Sequence, residues 1–224
     1  MPRNRPGQTR REFLKSAGAL TAGAILGPGL AGLPCLAAEP DEGRRKPNVV
    51  FVFADQLRSQ ALGCYGDKQA ETPNLDRLAA EGARFTNALS TWPVCSPFRA
   101  MLLTGRYPMS NGVIANGYRL WDGQHTIGSV FKTNGYATGY IGKWHLDGDE
   151  SQNVSKDRRQ GFDYWVSANQ YPMHGRDAGG NQTWRPEQQT DDALRYIKSN
   201  KDKPFCLVMS WLPPHDPYIA PSGL

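Results

Sequence analysis

Cysteine and histidine are scarce in this chain, with four of each among 224 residues. Cys35, Cys64, Cys95 and Cys206 do not have the number or spacing of a disulfide framework, and none sits in a zinc-ligand cluster with histidine. Beyond residue 38 there is no long apolar run, so no membrane-spanning helix is expected there. One sign of charge does not dominate either. Lys and Arg total 26 against 21 Asp and Glu, a net charge of +5. Most of that excess lies in the first 38 residues, where Arg3, Arg5, Arg10, Arg11 and Lys15 face only Glu12. The remainder is close to neutral, which excludes the basic footprint of a nucleic-acid-binding protein. No internal repeat is present.

The basic start has its own reading. Thr9-Arg10-Arg11-Glu12-Phe13-Leu14-Lys15 has the form of a twin-arginine export signal. A weakly apolar Gly/Ala-rich run follows from Ser16 to about Leu33, and Ala37-Ala38 supplies small residues for cleavage. Residues 1–38 are therefore expected to be a signal peptide read by the Tat translocase, and residues 39–46 a polar linker. The domain of interest is residues 47–224, expected to work in the periplasm or outside the cell.

What is present in that domain is an alternation of strands and helices. Asn48 to Ala54 is a continuous β-branched and aromatic run, predicted to be a strand buried on both faces. Thr72-Pro73 opens a helix with Leu75, Leu78 and Ala79 on one face, and Gly82 ends it. Phe85 to Leu89 reads as a weaker strand. Thr126 caps a helix that closes at Asn134-Gly135, and Tyr136 to Ile141 is the next strand. Thr190-Asp191 begins a helix with Leu194, Ile197 and Lys198, and Pro204 to Leu212 is another buried strand. Residues 147–187 lack a clear period and read as long surface loops, with Tyr164, Trp165, Tyr171 and Trp184 free to stack on sugars or to pack. The pattern predicts an α/β fold with a largely parallel central sheet and helices on both faces.

Chemistry-bearing residues gather at three strand ends. Asp55-Gln56 follow the first strand, Gly142-Lys143-Trp144-His145 follow the middle one, and Pro213-Pro214-His215-Asp216-Pro217 follow the last. Parallel strands bring such ends to one edge, where open α/β sheets bind ligands. Cys95-Ser96-Pro97-Phe98-Arg99 adds a helix start: Ser96 suits the cap, Pro97 the first helical position and Gly105 the end. Cys95 and Arg99 are one turn apart. The free N–H groups of such a start favour an anion beside Cys95. His125 and His174 belong to no motif and read as loop residues, Cys64 as structural and Cys206 as packing.

The run Cys95-Ser96-Pro97-Phe98-Arg99 with Thr104-Gly105-Arg106 resembles the signature of type I sulfatases of the alkaline phosphatase superfamily, and Gly135 to His145 resembles their second signature. Phe98 stands where that family usually has Ser, Thr or Ala. The resemblance spans about Pro47 to Leu224 and implies an alkaline phosphatase-like fold of which this chain holds the N-terminal portion. The later metal ligands, a second lysine and the C-terminal part are missing, so the chain alone is expected to be inactive. It further implies a sulfuric ester hydrolase whose nucleophile is formylglycine, made from Cys95 by a formylglycine-generating or sulfatase-maturating enzyme. Asp55, Gln56 and the modified Cys95 would bind Ca²⁺ or Mg²⁺. Arg99 would hold the formylglycine, Lys143 the sulfate, His145 a proton of the hydrated aldehyde and His215 the leaving-group oxygen. The substrate would be a sulfated small molecule or glycan. Two alternatives stay open: a phosphonate or phosphate ester hydrolase of the same superfamily, and an inactive secreted binding protein of sulfatase descent.

Overall fold

The first strand, β1 (Val49–Ala54), lies at one end of a four-stranded parallel sheet. The computed structural model describes residues 46–148, 152–170, 172–176, 179–218 and 220. The expected signal peptide, all but Lys46 of the linker, and Tyr171 lie outside the described residues. After β1 come α1 (Pro73–Glu81), α2 (Cys95–Thr104), the single turn α3 (Pro108–Asn111) and α4 (Ile127–Thr133). Strand β2 (Ala137–Lys143) and its neighbour β3 (Tyr164–Ala168) follow, then a small antiparallel ribbon of β4 (His174–Arg176) and β5 (Gln182–Trp184). The long α5 (Arg185–Asn200) leads into β6 (Phe205–Trp211). The main sheet has the order β1-β6-β2-β3, so the last strand slots between the first two. No helix among the described residues is long and apolar enough to cross a membrane.

Strand alternation places helices on both faces. Tyr140 of β2 and Val208 of β6 are register partners and point toward Ala100 and Leu103 of α2. Ile141 and Met209, one step along, point the other way and bury Ala193 and Tyr196 of α5. Tyr140 also stacks on Trp165 of β3, with ring centroids 5.5 Å apart. Thr126 caps α4 through a reciprocal capping box with Ser129.

Several expectations need correction. β1 is not buried on both faces: Val50 and Val52 are 47% and 44% exposed. Their face is the one α5 covers, but within this sheet α5 packs chiefly on β2 and β6, and β1 is a sheet edge. Phe85 to Leu89 forms no strand; Phe85 and Leu89 are exposed and no neighbour supplies a ladder. Residues 147–187 are not all loops, since Tyr164 to Ala168 pairs in parallel with Gly139 to Lys143. The last helix starts at Arg185 rather than Thr190, with Pro186 in its first turn, where a missing N–H costs nothing.

One glycine decides how the sheet meets the site. Gly142 has φ 100° beside Ser210 of β6, and a Cβ there would lie 2.0 Å from the Ser210 carbonyl oxygen. Only glycine fits this left-handed, crowded position. It turns the end of β2 so that Lys143 projects toward the end of β1.

Candidate active site

Three strand ends and one helix start meet at Asp55. Its backbone N–H donates to the Trp211 carbonyl (2.9 Å), which extends the β1–β6 ladder by one residue and fixes the side chain beside β6. The carboxylate is buried. Lys143 Nζ lies 2.7 Å from Asp55 Oδ2, and Arg99 Nη2 lies 3.2 Å from the same oxygen. Arg99 is itself 1% exposed. Its Nη1 donates to the Lys143 carbonyl (2.7 Å) and to Ser210 Oγ (2.5 Å), and its guanidinium lies over the Phe53 ring. Tyr140 Oη donates to that same Lys143 carbonyl (2.8 Å). Two cations thus share one carboxylate, leaving a local excess of positive charge at the edge of the sheet.

Cys95 faces this cluster. Its thiol donates to Asp55, with Sγ 3.5 Å from Oδ1 and 3.8 Å from Oδ2. Burial pushes the Cys95 thiol pKa up, and the Asp55 charge adds to that, outweighing Lys143 and Arg99. The encoded side chain is therefore a protonated thiol, a poor nucleophile in itself. For Asp55, burial acts upward, but Arg99 and Lys143 outweigh it and hold the carboxyl below its usual range.

The helix start differs from expectation. Cys95 is the first helical residue of α2, and Val94, which has no capping side chain, precedes it. Ser96 lies inside the helix, buried, rather than at the cap. Its N–H is satisfied from afar by Asn116 Oδ1 (2.9 Å). Pro97 has no N–H, and Phe98 N–H already donates to the Val94 carbonyl. The first turn thus has few amides left for an anion, and the attraction must come from Arg99 and Lys143. Asn116 was not singled out in the sequence; an asparagine between Ala115 and Gly117 reads as an ordinary loop residue.

Past β6, His215 sits in a turn and is part-exposed, its Nδ1 2.9 Å from Asp216 Oδ1. Gln56, with φ 60°, reaches the same turn: Nε2 donates to Tyr218 Oη (3.3 Å), and Oε1 accepts from the Asp216 N–H (3.4 Å). Ligand atoms of Asp55, Cys95 and His215 lie within 4.8 Å of one another, the one such group of three among the described residues. Of the nearby groups, the Asp55 carboxylate, with one oxygen facing Cys95, and the Gln56 amide offer the oxygens that suit Ca²⁺ or Mg²⁺, and the fit improves once Cys95 carries oxygen in place of sulfur. His145 is not a member of this triplet. It is buried two residues beyond Lys143, with φ 57°. His174 stacks edge-on against Trp184 in the β4–β5 ribbon. Beside Cys95 opens a cavity of about 470 Å³ with Phe53, Leu57, Val94 and Phe98 among its walls.

The sequence model of the Sulfatase family matches residues 47–223. An ulvan-active sulfatase of Formosa agariphila is 41% identical over 192 residues, covering 80% of this chain and 38% of that protein. A candidate sulfatase structure, yidJ of Bacteroides fragilis, superposes with a TM-score of 0.73 at 35% identity, over 85% of this chain and 48% of that one. A structure solved with its substrate D-glucosamine-2-N,6-O-disulfate gives a TM-score of 0.66 at 30% identity, over 78% of this chain and 36% of that one. The chain thus spans less than half the length of each of these relatives.

Proposed function

The chain belongs to the sulfatase family, and from that premise we propose that the whole protein hydrolyses sulfate monoesters, with Cys95 converted to formylglycine. The observation that carries this reading is Cys95 held against Asp55 while Arg99 and Lys143 converge on the same carboxylate. Asp55, Gln56 and the modified Cys95 would hold Ca²⁺ or Mg²⁺, which when bound makes an oxygen nucleophile more acidic. The oxidised side chain supplies that oxygen, which the protonated thiol does not.

The other groups then have defined tasks. Lys143 and the fixed Arg99 supply positive charge for the spreading negative charge of the sulfate oxygens. His215, with Nδ1 held by Asp216, gives a proton from Nε2 to the departing oxygen. His145 takes a proton so that the aldehyde re-forms and sulfate leaves. The relatives' names support a sulfated glycan as substrate, and the apolar cavity walled by Phe53 and Phe98 would border it. A maturation enzyme would act on Cys95.

Assays of the whole protein on an aryl sulfate and an aryl phosphonate test the reading. Sulfate turnover should be the faster, and Lys143→Ala should lower its kcat by about 10²–10³. Faster phosphonate cleavage would instead favour the ester hydrolases of the same superfamily. No turnover of either ester by protein carrying the modified Cys95 would favour a binding protein.

Export by the twin-arginine route to the periplasm or beyond is part of the same proposal, supported by Arg10-Arg11. Changing both to lysine should retain the protein in the cytoplasm; unchanged export in a cell-fractionation experiment would refute that route.

A further inference from the structure

We propose that Asn169, the residue after β3, is the positioning residue that holds His145 at the site; this rests on the reading of His145 as a proton acceptor. Asn169 is 0% exposed. Its backbone carbonyl accepts from the His145 N–H (2.8 Å). Its side-chain Oδ1 accepts from the Asp147 N–H (3.1 Å), and its Nδ2 donates to the Gly148 carbonyl. Its own N–H donates to the Gln152 carbonyl (3.1 Å). One residue thus fastens both ends of segment 145–148.

That segment needs fastening. His145 has φ 57°, a left-handed conformation that a side-chain-bearing residue rarely adopts without support. Gly148, at φ 75°, takes the same sense freely. Free of restraint, His145 would relax to negative φ and its ring would swing away. Asparagine suits the task because one short planar group carries an acceptor and a donor together. Aspartate would turn an acceptor on the Gly148 carbonyl, and leucine would leave the part-buried Asp147 N–H and Gly148 carbonyl without this partner. Arg158 grips the same segment from the far side, through Asp147 (2.9 Å) and the Leu120 carbonyl (3.0 Å). The fold therefore has a second anchor there; the Asn169 backbone carbonyl, which any residue would supply, holds the His145 N–H, and what the asparagine side chain adds is the hold on Asp147 and Gly148 immediately after His145.

The test is a double-mutant cycle on the whole, matured protein. Asn169→Ala should lower kcat by about 10²-fold, with KM little changed, as expected for a misplaced catalytic group. His145→Ala should lower kcat by itself, and adding Asn169→Ala to it should lower kcat no further. If the two losses multiply, Asn169 does not act through His145 and the proposal fails while the role of His145 stands. If His145→Ala turns over like wild type, the role of His145 falls and this proposal with it. Should Asn169→Ala not fold, amide hydrogen exchange on the unaltered protein decides. The His145 and Asp147 amides should be protected as strongly as those of β2, and rapid exchange at Asp147 would overturn the proposal.

Discussion

Cys95→Ala in the whole protein is expected to remove sulfate-ester turnover while leaving the fold intact. Cys95 opens α2, where alanine is a good helix former, and its Sγ makes one weak contact, with Asp55. The Ser96 N–H keeps its Asn116 partner, so the helix start survives. What is lost is the only atom that can become the nucleophile. Lys143, Arg99 and His215 remain, but they act on charge and protons and form no bond to sulfur. Circular dichroism should match wild type while activity falls to background. The tryptic peptide spanning residues 85–99 gives the companion measurement. In active wild-type protein its mass should show the Cys95 thiol replaced by an aldehyde. Active protein that carries only the thiol would refute the formylglycine mechanism, and so would turnover by Cys95→Ala.

How much of this was legible beforehand varies by element for physical reasons. β2 was legible over Tyr136 to Ile141, and β6 from its continuous apolar run, because a central parallel strand is covered on both faces. β1 has the same composition, yet its exposure depends on its place at the sheet edge, which no local pattern encodes. β3 was missed because Tyr164 to Ala168 is short and lies in a Gly- and Asn-rich stretch; its aromatic pairing with Tyr140 is a tertiary fact. The start of α5 was within reach, since Arg185-Pro186-Glu187 carries proline and an acid in the first turn, both start signals. At the site, Asp55, Lys143 and His215 were legible as polar ends of apolar strands, and parallel pairing brings those ends to one edge. Asn116, Asn169 and Ser210 were not. Each acts by a backbone or buried contact whose partner is 20 or more residues away, and in sequence each is one more small polar residue.

Asp55 is the residue whose loss should cost the fold most. Lys143 and Arg99 both rest on its Oδ2, and both are nearly inaccessible to water. Taking the carboxylate away leaves two buried cations with no counter-charge, and breaking a buried pair from one side typically costs about 3–5 kcal/mol. Arg99 keeps the Lys143 carbonyl and Ser210, so Lys143 is the more exposed to the loss. Asp55→Ala should therefore unfold at clearly lower urea than wild type, in metal-free buffer at neutral pH. Asp55→Asn, which keeps the volume but not the charge, should lose nearly as much. The pH dependence has a fixed sign. Because the folded state holds the Asp55 carboxyl below its ordinary value of 3.8, the charged carboxylate stabilises the fold above that value. This contribution drains away as pH falls through the lower, folded-state value. Wild type should lose its advantage over Asp55→Asn in that acid window and keep it in full at neutral pH. Urea titrations of both proteins across the acid range measure this. Equal midpoints at neutral pH would mean that Lys143 and Arg99 find other partners, and that Asp55 is not the centre of the cluster.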